Sequence, residues 1–322
     1  MSLNRAELLR LLPNFARQMD ISKLFLKDES EWFGTSLASF KALGAPYAIY
    51  KLLVDEIFSQ IGVLPTSCEL RTDKYRYITQ SVTGFSYGAK IFGCRFIDYI
   101  HNHVSVGRAS WMKGLGLAVI HANGKYEASV ERAKADARMN GWHFVSSTSW
   151  SDFDSGIPQD VMNAYVAVVE EALNRLPAVN EITHVSSAAV LEALLQQFSL
   201  VTKQNLRTAC RTPSPAAWKI LSWLTRDFSC RVRLGGSRRN EAIFKRDIPV
   251  VCGESSAATM GIMLLASRGS RLREKLSLNM DSQVVLFGLE GATDPDIYEQ
   301  LVGVSSQAVF EAQSHFTRGH SV

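Results

Sequence analysis

One lysine stands where it could do carbonyl chemistry. Lys41 follows Ser39-Phe40 and opens a segment, Ala42–Gln60, in which Leu43, Tyr47, Ile49, Leu52, Leu53 and Ile57 recur at helical spacing. A helix start presents the positive end of the peptide dipole, and partial burial adds a desolvation cost. Both disfavour an ammonium and favour the neutral amine that attacks a carbonyl. A lone lysine at a helix start is most often a solvated residue, so the reading rests on what flanks it. Upstream runs Phe25-Leu26-Lys27-Asp28-Glu29-Ser30-Glu31-Trp32-Phe33-Gly34, a short strand, a polar turn and a Phe-Gly step. Far downstream, Gly253-Glu254-Ser255-Ser256-Ala257-Ala258 forms a turn into an apolar helix pattern. His101-Asn102-His103 offers two imidazoles, but no third Cys, His or carboxylate stands at ligand spacing, and no metal site is assigned. Gly235-Gly236-Ser237-Arg238-Arg239 lacks a strand-to-helix context and reads as a turn, and the six tryptophans read as packing residues.

The elements that must position Lys41 alternate between strand and helix. Strands are predicted at Leu24–Lys27, Phe96–Ile100, Ala118–His121 and His143–Ser146. Between them lie helices at Ala42–Gln60, up to Phe92 (stopped by Gly93), Val106–Leu115 (Gly116), Tyr126–Asn140 (Gly141) and Val161–Leu176 (Pro177). Further strands are expected at Thr183–Val185, Val250–Cys252 and Val284–Gly288. Helices are expected at Ala216–Arg226, Ala257–Ala266 and, as the last, Pro295–Leu301. Strand, helix, glycine, strand is the rhythm of an α/β fold with a twisted parallel sheet covered on both faces.

The bulk numbers agree with a globular protein of 322 residues, 46% hydrophobic and 20% charged. The net charge of +4 is spread thinly, and the longest basic block is Arg238-Arg239, so nucleic acid is not an expected partner. No stretch approaches a bilayer-spanning length, and Arg5, Glu7 and Arg10 interrupt the first residues, which do not read as a signal peptide. Five scattered cysteines without a Cys-x-x-Cys pair read as reduced, buried thiols of a cytoplasmic protein.

Taken together, the Lys27-Asp28-Glu29-Ser30 turn, the Phe33-Gly34 step and Ser39-Phe40-Lys41-Ala42-Leu43-Gly44-Ala45 resemble the lysine signature of the diaminopropionate ammonia-lyase branch of fold-type II pyridoxal-phosphate (PLP) enzymes. Gly141-Trp142, Thr148-Ser149-Trp150 and Gly156-Ile157-Pro158 are similar to that family's G-W…D-T-A-W…K-I-P run. The Gly253 turn resembles its G-E-S-G-A-V, and Glu274-Lys275-Leu276, Leu278-Asn279, Glu290-Gly291 and Thr293-Asp294 resemble its tail. The resemblance spans most of the chain. It implies a two-domain α/β fold with parallel-rich sheets flanked by helices: a larger domain from 1–60 and 151–322, and a smaller one inserted at 61–150. It also implies PLP as cofactor, a small amino acid as substrate, a homodimer, and Lys41 as the residue that forms the imine and moves the substrate α-proton. Gly253, Glu254 and Ser255 would lie beside the cofactor ring.

Three positions depart from the family pattern. Counting back from Gly93, the family's D-G-N-H-G loop falls on Ile78-Thr79-Gln80-Ser81-Val82. Ile78 then replaces an acid/base aspartate, while Gln80 can still donate a hydrogen bond to the ring oxygen. The family's glycine-rich phosphate loop should follow Thr183-His184-Val185, but Ser186-Ser187-Ala188-Ala189-Val190 stands there, and no glycine occurs from Ile157 through Leu234. A helix start capped by Ser186 or Ser187 would be a weaker anion site. Leu289 replaces the hydroxyl residue expected at the pyridine nitrogen. Two readings follow: a PLP-dependent lyase of the ammonia-lyase, β-elimination type, or a catalytically degenerate homologue with a binding or regulatory role.

Overall fold

The computed structural model describes residues 9–31, 38–80, 83–84, 91–102, 104, 106–114, 116–145, 156–187, 206–208, 225–228 and 247–319. The chain opens with β1 (Leu9–Leu11), α1 (Pro13–Gln18), β2 (Lys23–Asp28) and α2 (Lys41–Ile61). Two one-turn helices, α3 (Ser67–Leu70) and α4 (Arg76–Thr79), precede β3 (Thr83–Gly84), β4 (Arg95–His101), α5 (Val106–Gly114), β5 (Ala118–Ala122), α6 (Tyr126–Asn140) and α7 (Gly156–Arg175). After β6 (His184–Ser187), β7 (Leu206–Thr208) and β8 (Thr225–Phe228) come α8 (Glu254–Arg268), α9 (Ser270–Lys275), β9 (Gln283–Gly288), α10 (Pro295–Val302) and α11 (Ser306–Gly319).

The contacts divide the chain into two compact units, 1–40 with 166–322 and 41–165. They gather α2 and the first half of α7 with the segment expected to form the smaller domain. The first unit is built on a four-stranded sheet in the order β1-β2-β9-β6, in which β2, β9 and β6 run parallel and β1 is an antiparallel edge. A parallel strand covered on both faces is apolar throughout, and β9 answers to this: every residue from Gln283 to Gly288 is buried. One face of the sheet (Leu24, Leu26, Val284, Leu286) packs with Phe15 of α1 and Met260, Met263 and Ala266 of α8. The unit also holds the parallel pair β7–β8.

The second unit holds the parallel sheet β3-β4-β5. Helix α6 is tied to β4 by the Tyr99 hydroxyl, which donates to Asp136 at 2.6 Å, and Arg132 completes that carboxylate at 2.9 Å. Gly141, at φ +68°, ends α6 in the left-handed region that a glycine enters without strain. At the start of α2, Gly44 lies against α7 so closely that a Cβ would stand 2.5 Å from the Tyr165 hydroxyl and 2.8 Å from Val161 Cγ1.

The α/β fold with parallel strands is as the sequence implies, with local corrections. Neither His143–Val145 nor Val250–Cys252 is a strand. Thr225 and Arg226 belong to β8 rather than to a helix, and 216–224 lie outside the described residues. Helix α7 starts at Gly156 rather than Val161, because Ile157 and Pro158 continue its apolar face and proline is tolerated in a first turn. Helix α11 follows what read as the last helix, its Val309 and Phe310 packing with Val251 and Tyr298. Of the cysteines expected to be buried, Cys68 is exposed, while Cys94 and Cys252 are partly buried; all three are free thiols. No described helix is long and apolar enough to cross a membrane.

Candidate active site

The turn after β2 is a buried charge cluster. Lys27 and Glu29 are fully buried, and the Lys27 ammonium lies 2.5 Å from Glu29 and 3.0 Å from Glu171 of α7. Asp28 takes the guanidinium of Arg10 at 2.6 Å and the backbone N–H of Ser30 at 3.1 Å. Two carboxylates face one ammonium; Glu29 is fully buried, while Glu171 reaches in from the partly exposed face of α7. Burial raises Glu29 to about 7 against the pull of Lys27, with Glu171 and Asp28 adding to the rise. Burial also pushes the nearby Cys252 thiol far up, Asp28 adding to it, so this sulfur stays protonated.

The extension of β9 joins the motifs that lie far apart in sequence. Ser39 and Glu290 form an antiparallel bridge, flanked by Phe40 N–H donating to Leu289 O (3.1 Å) and Gly291 N–H donating to Ala38 O (2.8 Å). On its other side Glu290 O accepts from Gly253 N–H at 3.0 Å, at the start of α8. Backbone meets backbone here: a Cβ on Gly291 would stand 2.5 Å from Ser30 O, and one on Gly253 would collide with Gly291 O. Only glycine permits either approach. The lead-in is pinned by this pairing through Phe40, and Lys41 is the next residue, the first of α2.

The proposed cofactor-ring residues Gly253, Glu254 and Ser255 therefore occupy a helix start paired to the Glu290 peptide, and Gly253 offers no side-chain cap to the N–H groups of that first turn. Lys41 is exposed rather than partly buried. Ser186 and Ser187 do not cap a helix; they are the last two residues of β6, registered against Leu286 and Phe287. Residues 188–200, where the phosphate loop was sought, lie outside the described residues. Ile78 and Gln80 are not in a loop after a strand. Ile78 is buried in α4, Gln80 caps that helix, and both precede β3. The strand that precedes Gly93 here is Thr83–Gly84, paired with Arg95–Phe96. Residues 85–90 lie outside the described residues. Leu289 is buried just past β9 and contributes its carbonyl to Phe40.

Sequence reasoning read Ser256 only as part of the turn beside the ring and missed its bonds to Glu290, and it passed over Glu171 and the backbone of Leu289–Gly291. A serine in the first turn of a helix carries no signal of a partner 34 residues away, and Glu171 is one of two adjacent glutamates on a helix. Among the described residues no group of three His, Cys, Asp or Glu is placed to hold a metal ion.

The chain is similar to known proteins over nearly its whole length. It is 26% identical to the diaminopropionate ammonia-lyase of Escherichia coli (strain K12), covering 92% of this chain and 87% of that one. It is 22% identical to the enzyme of the same name from Salmonella typhimurium (strain LT2), covering 90% and 86%. The apo crystal structure of the E. coli diaminopropionate ammonia lyase superposes with a TM-score of 0.79 at 25% identity, covering 94% of this chain and 88% of that one. The family described as pyridoxal-phosphate dependent enzyme matches residues 5–191, the span that carries the buried turn, the paired lead-in and Lys41. With that match over more than half its length, the chain belongs to the family of pyridoxal-phosphate dependent enzymes.

Proposed function

We propose that the chain is a carbon–nitrogen lyase acting on a small amino acid, with chemistry of the diaminopropionate ammonia-lyase type. The observation that carries this reading is the fixed lead-in: Ala38 and Phe40 are hydrogen-bonded to Gly291 and Leu289 immediately before Lys41 opens α2. The residues fit a carbonyl cofactor at this end, since an exposed amine follows a rigid support, as a covalent anchor requires. PLP, when bound, supplies the electron sink for a carbanion at the substrate α-carbon. Lys41 would hold it and would take the substrate α-proton, and the β-amino group, once protonated, would leave as ammonia. The Gly253–Ser255 helix start faces a developing negative charge well, because its first N–H groups have no side-chain cap. Ser186 and Ser187, at the end of β6, stand where the chain leads into the segment read as phosphate-binding.

The similarity to ammonia-lyases over most of both lengths supports turnover, and nothing in it favours the alternative of a homologue without chemistry. We also infer a homodimer, on the resemblance alone, and a cytoplasmic setting, supported by the free thiols of Cys68, Cys94 and Cys252. The test is a PLP-supplemented assay of oxoacid and ammonia release from L- and D-2,3-diaminopropionate, L-serine and L-threonine. The expected result is release from at least one of them that disappears in Lys41→Ala. No release from any of the four by a protein that has taken up PLP contradicts the reading.

A further inference from the structure

The peptide of Glu290 has two edges, and only one is satisfied by the lead-in to Lys41. In the bridge between Ser39 and Glu290 the flanking residues exchange the hydrogen bonds, so the N–H and C=O of Glu290 itself point to the other side. There the Ser256 side chain meets both groups. Its hydroxyl accepts from Glu290 N–H at 2.9 Å and donates to Glu290 O at 3.0 Å. Ser256 itself is buried, 2% exposed. A single hydroxyl thus stands in for the donor and acceptor of a neighbouring strand that is not there. The α8 backbone holds the serine in place, with Thr259 Oγ1 donating to its carbonyl at 2.7 Å.

We infer that Ser256 is a positioning residue: its hydroxyl latches the Glu290 peptide to the start of α8 and thereby fixes the Ala38–Phe40 lead-in from which Lys41 departs. This rests on the reading of Lys41 as the cofactor lysine for its functional consequence, though not for its structural one. Without the hydroxyl, the Glu290 peptide loses both bonds to the Ser256 side chain, while Gly253 N–H still donates to Glu290 O. Losing both bonds removes the side-chain hold of α8 on this edge, and the strand extension loosens, which releases its other edge.

The experiment compares Ser256→Ala and Ser256→Cys with a control of equal chemistry elsewhere, Ser282→Ala. Ser282 is also a buried serine, 1% exposed, whose hydroxyl accepts from Asn279 N–H at 2.9 Å, at the opposite end of β9. Ser256→Cys preserves volume but replaces a strong hydrogen-bonding group with a weak one, so it keeps the test open if the alanine variant does not fold. Amide hydrogen exchange of the full chain is read at Phe40 and Gly291, and PLP affinity is read from the absorption of the lysine-linked cofactor. The expected result is exchange at both amides faster by about tenfold in the Ser256 variants, the scale of one lost hydrogen bond, with PLP bound several-fold more weakly. Ser282→Ala should lower thermal stability comparably and leave both readouts near wild type. Exchange at Phe40 and Gly291 within twofold of wild type in the Ser256 variants overturns the inference. If wild type links PLP at a lysine other than Lys41, the proposed function falls, while the exchange readout still decides the latch.

Discussion

A lysine with no solvent contact is tolerated at position 27 because Glu29 and Glu171 both reach it. The arrangement ties the end of β2 to α7, two segments 144 residues apart. It also makes the core sensitive to pH through Glu29, whose folded value lies near 7 against an ordinary 4.5. Between these values the folded protein holds a proton that the unfolded chain has released. The stability contributed by this group is therefore fully present below pH 4.5 and is lost as pH rises toward 7. The loss is of order 1–3 kcal/mol, since one pKa unit is worth about 1.4 kcal/mol. Thermal melts from pH 5 to 7.5 should show the wild type losing stability relative to Glu29→Gln, which keeps the shape without the titration. Parallel pH profiles for the two proteins would show that Glu29 is not the group responsible. The sequence makes the Lys27-Asp28-Glu29-Ser30 run legible as a motif. It does not reveal why the residues are charged, because the partner that decides it arrives from α7.

Helix α1 illustrates how an element too short to hold itself is held by others. Six residues cannot form a stable helix alone. Its first N–H groups are taken by Asp247, whose carboxylate accepts from Asn14 N–H at 3.0 Å and Phe15 N–H at 2.8 Å. Its last carbonyls receive Arg273, which donates to Met19 O and Asp20 O at 2.5 Å each. Asp247→Ala should cost about 2 kcal/mol, the upper range for loss of an N-cap, seen as a lower midpoint in urea; an unchanged midpoint would show the cap to be idle. Periodicity and glycine stops made the long elements readable: Tyr126–Asn140 and its stop at Gly141 are as predicted, and α2 differs from its expectation by one residue at each end. The short elements were not readable. β1 and α1 carry no period, and the register of β3 against β4, with Ile78 in the helix before it and Gln80 at that helix's cap, is a pairing that a gapless count along one chain cannot supply.

At the scale of the whole molecule, each of the two units has its own parallel sheet, and the chain passes between them after Phe40 and again after Tyr165. The family was legible from the order of many small motifs. The convergence of Ser30, Gly253, Ala38 and Phe40 on one three-residue stretch, Leu289–Gly291, was not, because those contacts are made by backbone and by glycines whose close approach leaves no pattern of its own. That convergence gives Lys41 its fixed starting point, and the central claim is that this lysine carries the cofactor. The most direct test is to load the purified protein with PLP, reduce with borohydride, digest and map the labelled peptide. A single label on Lys41, absent from Lys41→Ala, is the predicted result; a label on any other lysine, or none in a protein that binds PLP, would contradict the account.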